Sequence, residues 1–276
     1  MSDFFAESEW LDFSSVVDQE TEFIPLISPE EEDRMNTEEV PEKLPILPLR
    51  NNVLFPGVVM PITVGRDKSI KLIQDAYKGN KIIGVVSQKD SSIEEPSYSD
   101  LFGVGTVAQI VKLLKMPDGS STAILQGKKR MTLLEMVQPE PYIIAKVKSF
   151  DEKREKTFDK ESHALFDSLK DMALNIIKQS PNIPSEASFA IKNIESPTFL
   201  VNFISSHMQA DVADKQKMLE QPGLMQRANS LLKHLNKELQ ILKLKNDIQS
   251  RVRVDIDQQQ KEYFLQQQMK EIQNEL

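Results

Sequence analysis

The stretch LPILPLRNNVLFPGVVMPITV, Leu44 to Val64, decides how this chain is read. Apolar residues alternate through Leu44 to Arg50 with Pro45 and Pro48, and proline has no N–H to give a ladder, so the segment reads as an edge strand or one whose partner is interrupted. Phe55, Pro56 and Gly57 mark a turn, and Val58 to Val64 form a second strand. The period then changes: Ile70, Ile73, Ala76 and Tyr77 share one face, which predicts a helix over Arg66 to Tyr77 ending near Gly79 and Asn80 in a left-handed cap. Ile82 to Ser87 is a compact buried strand. From Val104 a strand leads to Met116–Gly119, where Pro117, Asp118 and Gly119 stand as a tight turn needs. Thr122–Gly127, Arg130–Val137 and Tyr142–Phe150 supply three more strands. Short strands at this spacing favour a small twisted barrel over a parallel sheet.

Beyond Phe150 the pattern is helical. Leu165, Leu169, Met172, Ile176 and Ile177 line one face before Pro181 and Pro184 break it. Ser196 followed by Pro197 is a strong helix start, an oxygen for the first free amides and a ring preset for the first turn. Phe199, Leu200, Phe203, Ile204 and Met208 give that helix its buried side, and Asp211 opens a short helix ending at Gln221. After Gly223 neither proline nor glycine recurs, and apolar residues return three or four apart from Leu224 through Ala228, Leu231, Leu235, Leu239 and Leu242 to Leu276. As one helix this would be about 80 Å long at 1.5 Å per residue. A rod of that length predicts a connector to a further module. Within it Arg251–Asp257 alternates with period two and is read as helix with a register break. Leu265, Met269, Ile272 and Leu276 form a narrow seam flanked by Gln, Lys and Glu, the pattern of a helix packed on another helix.

Charge divides the chain unevenly. Residues 1 to 42 hold 14 acidic residues against Arg34, a net −13, which leaves +5 on the rest of a chain whose total is −8. Such an acidic, unperiodic leader is expected to be disordered, with Phe4, Phe5, Trp10, Leu11, Phe13, Val16 and Val17 as a possible short docking segment. It has neither the basic start nor the cleavage pattern of a secretory signal, and no stretch is apolar enough to span a bilayer. There are no cysteines, which removes thiol chemistry and fits a reducing cytosol. His163, His207 and His234 are far apart, with no other ligand at metal spacing. Gly103, Gly105 and Ala108 mimic a dinucleotide fingerprint without its preceding strand or following helix. Ser230 and Lys233 have the spacing of some acyl enzymes, but lie inside the long helix where no oxyanion hole is expected. Lys128, Lys129 and Arg130 are the one basic cluster, read as a solvated turn, so DNA binding is not indicated.

Four segments together resemble one family. Leu44–Arg66, with its proline-punctuated strand, VLFPG turn and terminal Val-Gly-Arg, is similar to the opening of the Lon ATP-dependent protease family; Val104–Gly119 is similar to its next hairpin, and Leu231–Ile248 and Lys261–Leu276 to the long helix before its ATPase module. The acidic leader over 1–42 has no counterpart in that pattern; for the rest the resemblance implies an α+β chain: a PUA-like small β-barrel domain with one helix over 43–152, an all-helical bundle over 153–222, and a long coiled-coil-forming helix over 223–276. It further implies the substrate-recognition and assembly region of a cytoplasmic homohexameric protease that degrades misfolded, abnormal and short-lived regulatory proteins. In that protease an AAA+ module uses ATP and Mg, and a serine–lysine dyad cleaves. Both lie outside this chain, to which no catalytic, cofactor or metal residue carries over. The expected partners are unfolded or degron-bearing proteins, with no membrane. Phe55, Met60 and Met116 are the candidate substrate contacts, methionine being soft and adaptable, with core packing as their competing role. The rival reading is a non-proteolytic adaptor or scaffold carrying a Lon-type amino-terminal domain.

Overall fold

The computed structural model describes residues 28–115, 121–153, 158–180 and 186–275. In chain order they form α1 (Pro29–Thr37), β1 (Lys43–Leu49), β2 (Val59–Val64), α2 (Asp67–Lys78), β3 (Ile82–Ser87), a 3-10 turn at Tyr98–Asp100, β4 (Val104–Lys115), β5 (Ser121–Gln138), β6 (Ile144–Ser149), α3 (Lys160–Gln179), α4 (Glu186–Asn193), α5 (Pro197–His207), α6 (Val212–Glu220) and α7 (Leu224–Glu275).

The strands make one sheet in the order β2-β5-β4-β3-β1-β6, and the far half of β5 pairs again with β6. The ladder therefore rolls back on itself, barrel-like, with β2 outside the circuit. β1 takes the interrupted-partner form that its prolines demand: Lys43–Pro45 pair antiparallel with β6, and Ile46–Leu49 pair parallel with β3. That single parallel ladder makes the sheet mixed. The two strands expected at Thr122–Gly127 and Arg130–Val137 are one long strand, β5, shared among β2, β4 and β6. Its length is possible because bulges bend it, each extra residue adding local twist.

Two glycines lock the FPG turn to this strand. Gly57 takes φ 82, and its N–H donates to the Gly127 carbonyl at 2.9 Å while the Gly127 N–H donates to Val58 O at 2.9 Å. A Cβ on Gly127 would run into the Phe55 carbonyl, so only glycine permits this approach. The cap of α2 differs from the expected one: Gly79 has φ −95, and the positive φ of 60 falls on Lys81.

One apolar core lies inside the rolled sheet under α2, where Leu72 and Ile73 meet Leu47, Leu49 and Ile83. A second, around Ile46, Val107 and Met131, fills the other side. The third is the largest. It joins α3, α5, α6 and the first half of α7 to Val53, Phe55 and Val58 of the loop after β1, so burial crosses from strands to helices without a break. Ser196 caps α5 as its sequence requires, its Oγ accepting from the Phe199 N–H at 3.1 Å.

α7 is a single 52-residue helix, about 78 Å at 1.5 Å per residue. Leu224, Ala228, Leu231 and Leu235 bury its first turns against the bundle, and Asn246 Nδ2 donates to Gln179 O at the end of α3, 3.2 Å away. From Asp247 to Asn274 every side chain is exposed. The helix runs unbroken through Arg251–Asp257, and the change there is one of phase. Ile248, Val252 and Ile256 share one face, whereas Leu265 stands nine residues after Ile256, about 180° round at 3.6 residues per turn.

The leader reading is corrected at one place. Residues 29–37 are helical, with a capping box in which Ser28 Oγ accepts from Glu31 N–H and the Glu31 carboxylate accepts from Ser28 N–H. Its proposed aromatic docking segment, Phe4 to Val17, lies outside the described residues.

Candidate functional site

Three features could serve recognition: the junction between sheet and bundle, the outer face of β5, and the free half of α7.

At the junction two arginines are buried in the protein. Arg130 is 1% exposed. Its Nε donates to Glu152 Oε1 at 2.8 Å and its Nη1 to the carbonyls of Leu219 and Gln221, both at 2.7 Å. Its guanidinium also lies 4.4 Å from the centroid of the Phe150 ring, a cation–π contact. Arg227 Nη1 donates to Asn202 Oδ1 at 2.7 Å, and Asn202 Nδ2 in turn donates to Pro56 O at 3.1 Å. Burial first, then the neighbouring Arg130 charge, pulls Arg227 down to about 9 against the opposing pull of Glu152 and Glu32. At neutral pH it remains cationic. This network ties the β5 strand, the FPG turn, α5 and the α6–α7 corner together, which corrects the reading of Lys128, Lys129 and Arg130 as a solvated turn. Between Val107 and Ala108 the β4–β5 register slips so that Lys128 is an extra residue, and the slip turns Arg130 inward.

α1 sits over the same junction. Met35 is buried, Glu32 and Asn36 are half-buried beside it, and Glu30, Glu31 and Asp33 face out. Lys129 Nζ donates to the carbonyls of Asn36 and Glu38, at 3.1 and 3.4 Å, where the helix ends. One methionine side chain is worth about 1.5–3 kcal/mol of burial. Against that, desolvation raises the Glu32 carboxyl above its ordinary range, only partly offset by hydrogen bonds from Ser196 and Thr198. α1 is therefore held by one apolar anchor and by the Lys129 contacts at its end.

On the sheet, Leu134 is 53%, Met136 44% and Val137 43% exposed. The β5–β6 register slips between Leu133 and Glu135 and again between Met136 and Gln138, so Leu134 and Val137 are both bulge residues. Each slip resets the alternation and turns an apolar side chain to solvent. Val111 of β4 is exposed at a third slip, between Ile110 and Lys112. The sequence carried no signal for this patch, because its apolar run reads as ordinary strand.

The residues expected to touch substrate stand elsewhere. Phe55 is fully buried in the core that joins sheet and bundle, and Met60 is buried inside the sheet; both are packing residues, because their turn and strand face inward. Met116 lies outside the described residues. Of the seam, Leu265, Met269 and Ile272 are exposed and follow one another around the same face of α7, while Leu276 lies outside the described residues. Ser230 Oγ hydrogen-bonds to Gln221 at the corner before α7, and Gly105 faces the Val85 carbonyl in the sheet rather than an open phosphate cradle. Among the described residues no group of three His, Asp or Glu is placed to hold a metal ion, and no helix is long and apolar enough to cross a membrane.

Comparison with known proteins places this geometry. Residues 43–237 match the family model described as the ATP-dependent protease La (LON) substrate-binding domain. The chain is 60% identical over 259 residues to a Lon protease of Flavobacterium johnsoniae, and 51% identical over 255 residues to one of Cytophaga hutchinsonii, covering 94% and 92% of itself. It spans about a third of those relatives, 32% and 31% of their lengths. In three dimensions it is similar to the N-terminal domain of a Mycobacterium avium complex Lon protease, with a TM-score of 0.58 at 18% identity over 70% of this chain and 98% of that one. A Lon N-terminal domain protein from Xanthomonas campestris gives 0.51 at 17% identity, over 69% and 97%. The last two likenesses concern the fold.

Proposed function

The chain belongs to the family of Lon protease substrate-binding domains, and from that premise we propose that it is the substrate-receiving and assembly region of an ATP-dependent serine protease of the cytoplasm. Its targets are misfolded, abnormal and short-lived regulatory proteins. The observation that carries this reading is the exposed apolar patch Leu134, Met136 and Val137, raised to the surface by two bulges on a rigid strand. Unfolded polypeptides are distinguished from folded ones by exposed apolar side chains, and a shallow apolar patch on a sheet can meet many of them without a fixed sequence. Each such contact is weak. Six copies around a ring would raise the local concentration of patches and convert weak contacts into retention.

In this reading the chemistry belongs to other modules: an ATPase that takes ATP and Mg, and a peptidase with a serine–lysine dyad. The free half of α7 spaces the receiving domain from them. Its seam, Leu265, Met269 and Ile272, packs against a helix of a neighbouring copy. Neither DNA nor a membrane is among the proposed partners.

Two measurements test these roles. A photo-crosslinker at Glu135 should label an unfolded polypeptide, and Leu134→Asp with Val137→Asp should reduce that labelling at least fivefold while leaving the melting temperature within 2–3 °C, as expected for exposed positions whose change costs at most about 0.5 kcal/mol. Undiminished labelling would remove the patch from recognition. For the seam, Leu265→Asp with Ile272→Asp in the full-length protease should shift its mass in analytical ultracentrifugation toward smaller species, since each charge replaces a buried knob. An unchanged assembly would assign those leucine and isoleucine side chains to solvent.

A further inference from the structure

α1 lies outside the family match, which begins at residue 43, yet it occupies a groove made wholly by residues within that match. Lys128 and Lys129 of β5 form one wall, and Pro56, Gly57, Glu152, Thr198, Phe199 and Asn202 form the rest. The groove is built without α1. Asn202 is fixed from below by Arg227 and holds Pro56 from above, and the Gly57–Gly127 clasp sets the turn. What α1 contributes is a single apolar anchor, Met35, on an otherwise acidic helix, with its carbonyl end over the Lys129 ammonium. Lysine at a helix C-terminus reads the helix dipole and the free carbonyls, which every helix has. Glu30, Glu31 and Asp33 face solvent and Glu32 lies beside the Glu152 carboxylate, so the fit rests on the Met35 anchor and the carbonyl end over Lys129, not on the acids of α1.

We propose that this groove is a peptide-binding site that α1 fills in cis, and that its exchangeable occupant is a helical segment of another polypeptide carrying one methionine or leucine anchor and ending over Lys129. α1 then acts as a tethered competitor, and a segment presented at high local concentration displaces it. The proposal rests on the substrate-receiving reading but uses a different surface from the β5 patch.

The probe is a fluorescein-labelled peptide of residues 28–39, added to the full chain. Wild type should bind it weakly, because α1 occupies the groove. Met35→Glu, which removes the anchor, and Arg34→Pro, which breaks the exposed middle of α1 without touching the groove, should each tighten binding at least tenfold. Adding Lys128→Glu and Lys129→Glu to either should abolish the gain, and a peptide of the same composition with the methionine moved two places should bind at least tenfold less tightly. Circular dichroism confirms that each variant is folded. Should the peptide bind neither opened variant more tightly than wild type, or bind regardless of the two lysines or of the methionine's position, the proposal is overturned. Crosslinking of unfolded polypeptide at Glu135 reads the family role separately, so loss of one result leaves the other interpretable.

Discussion

Replacing Arg130 by Met is expected to lower the stability of the chain by about 3–5 kcal/mol, the range for removing one partner of a buried ion pair. The side chain is nearly conserved in volume, so the loss is one of polar satisfaction. The carbonyls of Leu219 and Gln221 lose their donor at the α6–α7 corner, and Glu152 loses its ion pair. A buried acceptor left unmatched costs about 1–3 kcal/mol, and two of them with a severed charge pair account for the size of the effect. Arg130→Lys should recover only part of it, because an ammonium cannot reach a carboxylate and two carbonyls with the planar fork of a guanidinium. Urea unfolding followed by circular dichroism at 222 nm checks both. The residue links strands to helices, so sheet and bundle should melt in one transition in the wild type and in two in Arg130→Met. A change under 1 kcal/mol, still in one transition, would mean that the apolar core alone holds the two parts together.

What the sequence revealed, and what it hid, follows from the range of the signals. Ile82–Ser87 and the Ser196–Pro197 start of α5 came out where the residues placed them, because a buried strand and a capped helix are written in consecutive residues. The same kind of signal stands at Ser28–Pro29, three residues before Glu31. Composition obscured it there, since an acidic stretch reads as a solvated leader unless its local cap is weighed separately. Arg130 was hidden for another reason. Beside Lys128 and Lys129 it looks solvated, and only the register slip at Lys128, a property of the β4–β5 pair, turns it inward. Leu134 and Val137 are hidden in the same way: bulges belong to two strands, and one strand's sequence cannot show them. The proposed recognition surface was therefore less legible than the fold, because it is made where the alternation breaks.

Phe55→Ala is expected to cost about 3–5 kcal/mol, the range for truncating a fully buried aromatic side chain. The ring leaves no surface exposed and belongs to the same apolar cluster as Leu169, Phe199 and Leu231. Its own carbonyl is set close to Gly127, and the backbone there is held by Gly57 and Val58, so the turn cannot collapse into the vacated space and a cavity persists. Phe55→Leu, which refills most of that volume, should cost less than half as much. These values separate the two roles that a phenylalanine in this turn could have. If it packs the core, Phe55→Ala lowers the urea midpoint while the folded fraction still crosslinks unfolded polypeptide at Glu135 as well as wild type. If it contacts substrate, crosslinking falls while the unfolding free energy stays within about 0.5 kcal/mol of wild type, as expected of an exposed position. The buried geometry calls for the first outcome, and the second would require the FPG turn to open in solution.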